Sequence, residues 1–219
     1  MQGLIKSYDN KYVRSLIQLI PLGIGSAADV FIKESIDKIR QERLSAFFNQ
    51  LEEGQIELTD DVIKSEDFLH NYFSTIRIVL NTRRREKIAL IGKLFNSALN
   101  VDIINSTDDF FESSLKILDE LSLKEIEILQ VLRDLEVSKT KPTADHKNAR
   151  LMANQEIWDE FKEIVHSRFG IDDNSLDETL IRIERTGCIY ISRISANDYR
   201  RHCAITTNIY VELIKLIIK

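Results

Sequence analysis

Hydrophobic positions recur at helical spacing along most of the chain. Val13, Leu16, Ile17 and Ile20 form one face of a first segment, Asp9 to Ile20, which Pro21 stops. From Ala27 to about Leu51 no breaker interrupts a long amphipathic stretch. Its apolar face runs through Phe31, Ile36, Ile39, Leu44, Phe47, Phe48 and Leu51, and Gly54 supplies its stop. The clearest periodicity lies between about Asp61 and Asn81, where Phe68, Leu69, Tyr72, Phe73, Ile76, Val79 and Leu80 predict a core helix. A helix of similar length carrying Ile88, Ile91, Phe95, Ala98 and Leu99 follows with almost no loop, so the pair reads as a helical hairpin or a bent helix. Ser106 or Thr107 caps a segment bearing Phe110, Phe111, Leu115 and Leu118. Ser122 with Glu125 forms a capping box for Leu123 to Val137.

Beyond Val137, the polar stretch Ser138 to Ala144 holds the second proline and reads as a linker or an inserted loop. Asn154 is the expected N-cap of a helix running through Ile157, Phe161, Ile164 and Val165 to Phe169, with Trp158 packed in its core and Gly170 after its end. Ser175 and Glu178 repeat the capping-box spacing before Leu176, Leu180 and Ile183, and Gly187 marks the stop. The period then changes to two in Cys188–Ser192 and again in His202–Thr206, which predicts a small hairpin, and Asn208 to Ile218 closes as an apolar helix. The expected fold is mainly α. A helical bundle with an N-terminal apolar arm spans 1–121, and a winged-helix-like domain with one small β-hairpin spans 122–219, with an insertion at about 138–153.

Composition narrows this picture. Seven Gly and two Pro in 219 residues leave too little turn chemistry for a sandwich or barrel. Two Cys exclude a disulfide scaffold, and no apolar run approaches the roughly 20 residues of a membrane span. With no leader-like start, the expected home is the cytoplasm. Net charge is −5 and both halves carry more acid than base, so global charge gives no support for nucleic-acid binding.

Several local patterns suggest chemistry. Gly23, Gly25 and Ala28 match the spacing of a dinucleotide loop, but Pro21 spoils a preceding central strand and no alternating strands follow, so a tight interhelical turn is the expectation. Leu16, Ile20, Leu22 and Ile24 lie in the most apolar window and are candidates for a docked arm, an oligomer contact or a membrane contact. Arg83, Arg84, Arg85 and Lys87 form the densest basic cluster. It is expected either to pair with Glu52, Glu53, Glu57, Asp60 and Asp61 or to meet a phosphate or a partner protein. A winged-helix recognition helix would span Asp173 to Thr186. There Asp173, Asp177, Glu178 and Glu184 outnumber Arg182 and Arg185, a balance that repels phosphates. The wing is different, because Arg193, Arg200, Arg201 and His202 outnumber Asp198 and could contact nucleic acid or a partner. His70, His146, His166, His202, Cys188 and Cys203 include no pair at metal-ligand spacing. The two thiols are expected to act as small hydrophobes of one core. No catalytic residue, cofactor, metal or small-molecule substrate is indicated.

Three stretches together resemble a known layout: Arg84 to Leu99, Phe111 to Leu129 with its Ile117-Leu-Asp-Glu-Leu-Ser-Leu123 core, and Ala204 to Ile214. They are similar to a loose group of bacterial proteins with a helical N-terminal part and a winged-helix-like C-terminal part, close in layout to the abortive-infection alpha family. The resemblance implies a cytoplasmic bacterial protein tied to phage defence or stress that acts by contact, without catalytic residues. The expected function is a non-enzymatic interaction protein that binds a partner protein or itself as a homo-oligomer. The alternatives are a DNA-binding regulator using the wing and a membrane-active effector using the apolar segment.

Overall fold

Cap chemistry and apolar phase together explain where the helices begin and end. The computed structural model describes residues 8–20, 30–55, 57–100, 109–139, 147–192 and 203–218. They form ten helices and a two-stranded antiparallel sheet. By internal contacts the chain divides into two compact units, Met1–Asp119 with Lys215–Lys219, and Glu120–Ile214.

In the first unit, Asn10 caps α1 (Lys11–Leu19) by accepting from the Tyr12 and Val13 amides. Its apolar face, Val13, Leu16 and Ile17, is fully buried, and Ile20 is buried beside it. The arm docks on α2 (Val30–Glu53): Glu52 accepts from the Asp9 and Asn10 amides, and the Tyr8 hydroxyl donates to Ser45 O and Asn49 Oδ1. Leu44, Phe47, Phe48 and Leu51 of α2 are buried as expected, whereas Ile39 is exposed. The stop of α2 differs from expectation. Gln55, not Gly54, takes the positive φ, and a Cβ at Gly54 would displace the end of the Asn96 side chain.

The single helix expected over 61–81 is two. Thr59 caps the short α3 (Asp60–Lys64), and Ser65, in extended conformation, accepts from the Phe68 amide to start α4 (Glu66–Asn81). A three-residue corner, Thr82 to Arg84, leads into α5 (Arg85–Asn100), the second arm of a helical hairpin. At Gly92 a Cβ would come within 2.7 Å of Gln50 Cβ, so glycine is what lets α5 approach α2. Phe95 occupies the centre, with ring centroids 5.8 to 6.2 Å from Phe47, Phe68, Tyr72 and Phe111, the last from α6 (Phe110–Glu120). Lys215–Lys219 also belong to this unit, and Ser97 Oγ donates to Leu216 O.

In the second unit the Ser122–Glu125 capping box forms as expected and opens α7 (Leu123–Lys139). The stretch expected as an insertion at 138–153 is helical at both ends. Ser138 and Lys139 finish α7, and α8 (Lys147–Phe169) already runs from Lys147. Asn154 is therefore no N-cap. It lies inside α8 and is buried, because its amide has better partners across the fold than at a helix end. Trp158 packs in the core against Phe161, ring centroids 4.9 Å apart. Gly170 ends α8 with φ +64. The cap of α9 (Asp173–Arg185) is Asp172, which accepts from the Ser175 amide, so Ser175 is helix interior. Strands β1 (Ile189–Ile191) and β2 (Ala204–Thr206) pair antiparallel in the expected hairpin positions, and α10 (Asn208–Ile217) follows.

Candidate functional site

Helix α9 is held by ties to three other elements of its unit. Leu176, Thr179, Leu180 and Ile183 are buried along its inner face. At its N-terminus, Asp173 Oδ1 lies 3.1 Å from His166 Nε2 and 3.9 Å from Lys162 Nζ, both on α8. Arg182 pairs at 3.1 Å with Glu125 of α7, and Glu184 Oε1 accepts from the Ile191 amide of β1 at 3.0 Å. The Ser175 amide and then its hydroxyl hold the Asp172 carboxyl below the usual carboxylate range, which keeps the cap charged.

What remains outward on α9 is a face centred on Ile181, which is 56% exposed. Asp177 and Glu178 lie one turn before it and Arg185 one turn after. None of these three charged side chains has an ion-pair or hydrogen-bond partner among the described residues. Just past the helix end, Ile209 is 48% exposed, and its Cδ1 lies 3.5 Å from where a Gly187 Cβ would stand. The face is thus one exposed apolar side chain flanked by charges of both signs. Phosphates meet carboxylates there first.

The same unit holds a buried polar network. Glu136 Oε1 accepts from Asn154 Nδ2 at 2.8 Å and from the Thr206 amide at 2.9 Å. Its Oε2 accepts from the Thr206 hydroxyl and, at 3.3 Å, from the Arg133 guanidinium. Asn154 Nδ2 also donates to Ala204 O at 2.8 Å. One carboxylate thus fastens α7, α8 and β2, fixing the base of the hairpin to the helices. Neither Glu136 nor Asn154 carries a sequence signal for this role. Both stand at positions where the helical phase demands an apolar residue.

The buried nucleophile types are silenced rather than activated. Cys188 and Cys203 are both buried, as expected of small hydrophobes, but they flank opposite ends of the hairpin ladder. Four ladder steps of ~3.4 Å separate them, far beyond disulfide reach. Burial pushes both thiols up, offset in part at Cys188 by the Thr186 hydroxyl, and burial likewise raises the Tyr210 phenol. A raised thiol pKa favours the protonated form in the folded state. That contribution is full below the ordinary thiol value of about 8.5 and fades as pH rises past it. In the native protein at about pH 8, both thiols should react with a disulfide reagent at least about tenfold more slowly than in urea. Equal rates would show the hairpin to be open.

The other sequence candidates are distributed as follows. Arg85 pairs with Glu42 at 3.1 Å and Lys87 donates to Asp119 O at 2.8 Å. Among the described residues, Arg83, Arg84 and Arg85 make no ion pair with Glu52, Glu53, Glu57 or Asp61, and the Asp60 side chain lies outside them. Glu52 is engaged by the N-terminal arm instead, and Glu53 accepts from Gln50 Nε2. Arg83 and Arg84 stay exposed at the α4–α5 corner without a partner among the described residues. Leu16 and Ile20 are buried as placed. Leu22 and Ile24, the Gly23–Ala28 loop, Ser106 and Thr107, His146, and the wing residues Arg193, Arg200, Arg201 and His202 lie outside the described residues. Among the described residues no helix is long and apolar enough to cross a membrane, and no group of His, Cys, Asp and Glu could hold a metal. No protein-family model, curated protein or solved structure matches the chain.

Proposed function

We propose that this chain is a non-enzymatic interaction protein of a bacterial phage-defence or stress module, acting by contact with a partner protein or with itself. The observation that carries the contact reading is the outward face of α9, where a DNA-reading helix would need cations and this one presents Asp177, Glu178 and an exposed isoleucine. The defence assignment rests on the resemblance of Arg84–Leu99, Phe111–Leu129 and Ala204–Ile214 to the abortive-infection alpha layout. Element order from α7 to α10, with the Gly170–Asp172 corner before α9 and a hairpin after it, supports a winged-helix reading of the second unit. Its DNA function is displaced by protein contact. The exposed Arg83–Arg84 corner supports a second contact, with an acidic partner surface.

A fluorescence titration of the full chain with nonspecific duplex DNA at about 50 and 200 mM salt tests this. The expected result is no binding at either concentration. Tight binding that falls steeply with salt, and that Arg200→Ala with Arg201→Ala abolishes, would replace this reading with the DNA-binding regulator.

A further inference from the structure

We propose that the outward face of α9 is self-complementary and pairs two copies of this chain about a two-fold axis passing over Ile181. The inference rests on the reading of this face as a protein-contact surface and names its occupant. Glu178 and Arg185 are seven residues apart, so they lie almost on one line along the helix, with Ile181 close to the midpoint between them. Turning a second α9 antiparallel about that midpoint places each Arg185 against the Asp177–Glu178 pair of the other copy, twice by symmetry. Ile181 then meets Ile181 of the second copy at the centre. A parallel arrangement would stack arginine on arginine and acid on acid, so the charge order itself selects the antiparallel register.

Two further observations fit a second copy as the occupant. Asp177, Glu178 and Arg185 have no partner of their own among the described residues, while Asp173, Arg182 and Glu184 on the same helix are engaged within the unit. The free charges are therefore the ones the two-fold requires. Ile209, beside Gly187, is a second exposed isoleucine just past the end of the same helix. A contact built on one helix face belongs to the small, transient class of interfaces, so dimerisation is expected to depend on concentration.

The test is sedimentation equilibrium on the full chain at about 50 and 500 mM salt, with circular dichroism to show that each variant is folded. Wild type is expected to form a dimer that weakens with salt. Arg185→Glu alone, and Asp177→Arg with Glu178→Arg, should each weaken it by about tenfold or more, since like charges then face each other twice. The triple swap in one chain should restore the homodimer, and an equimolar mixture of the two reversed variants should give a heterodimer. Wild type that stays monomeric overturns the inference. A dimer indifferent to both reversals also overturns it, because the contact then lies elsewhere while the interaction reading stands. Rescue by mixing without rescue by the triple swap would also overturn it, because this pairing of charges requires both. Duplex-DNA binding by the wild-type chain would count against the underlying contact reading instead, so the two failures are distinguishable.

Discussion

Phe95→Ala is expected to destabilise the protein by about 3–5 kcal/mol, the usual cost of truncating a fully buried phenylalanine. Phe95 has no exposed surface, and its ring meets four other aromatic rings contributed by α2, α4 and α6. Removing it opens a void that no single neighbour can fill, since Phe47, Phe68, Tyr72 and Phe111 approach from different elements. Edge-on ring geometry also adds to each pair beyond area burial, so the loss should sit toward the upper end of the range. Against a total stability of about 5–15 kcal/mol this is a large fraction. The measurement is a urea titration followed by far-ultraviolet circular dichroism, read as a lower midpoint at similar slope. Phe73→Ala is the comparison, because Phe73 is 40% exposed on α4 and touches the cluster through Tyr72, so its loss should cost about 1 kcal/mol. Comparable losses for both would mean that Phe95 is not the centre of the first unit.

That centre was legible in the sequence because apolar phase on α2, α4 and α5 points to the same rings. Phe47, Phe68, Tyr72, Phe95 and Phe111 all fall on predicted inner faces, and all are buried. The capping box at Ser122 was legible for the same local reason: its two hydrogen bonds are made within four residues. What escaped was a local break that the apolar stripe runs across, and contacts set by distant partners. Ser65 interrupts the expected helix 61–81 with a cap of its own, which periodicity ignores when the apolar stripe continues across the break. Asn154 looks like an N-cap by residue type, yet its amide is claimed by Glu136 and Ala204, respectively 18 and 50 residues away. The basic cluster illustrates the same limit. Which arginine finds an acid depends on packing, and Arg85 meets Glu42 while Arg84 beside it meets nothing among the described residues. Ile181 did leave a signal, since it falls out of phase with Leu176, Leu180 and Ile183. A stray apolar residue acquires meaning only once the flanking charges are known to be unpaired.

Glu136→Ala is expected to cost about 3–5 kcal/mol, because it removes the acceptor around which a buried network is built and leaves donors behind without one. The Thr206 amide and hydroxyl are fully buried with their residue and both lose the Glu136 carboxylate, while Asn154 keeps its bond to Ala204 O. Arg133 is less affected, since its side chain is partly exposed and can turn to water. Glu136→Gln should cost less, about 1–3 kcal/mol: its carbonyl can still accept from Asn154 and Thr206, but its amide nitrogen faces the Arg133 guanidinium. Urea unfolding read by the fluorescence of Trp158, the only tryptophan and one turn beyond Asn154 on α8, reports this directly. A double-mutant cycle with Thr206→Val separates the network from simple burial. If the carboxylate and the hydroxyl act through each other, the double variant should cost less than the sum of the two singles by about 1 kcal/mol or more. Strict additivity would mean that the hydroxyl adds nothing to the network and that Glu136 holds the hairpin through the Thr206 amide, beside the Asn154 tie to Ala204 O.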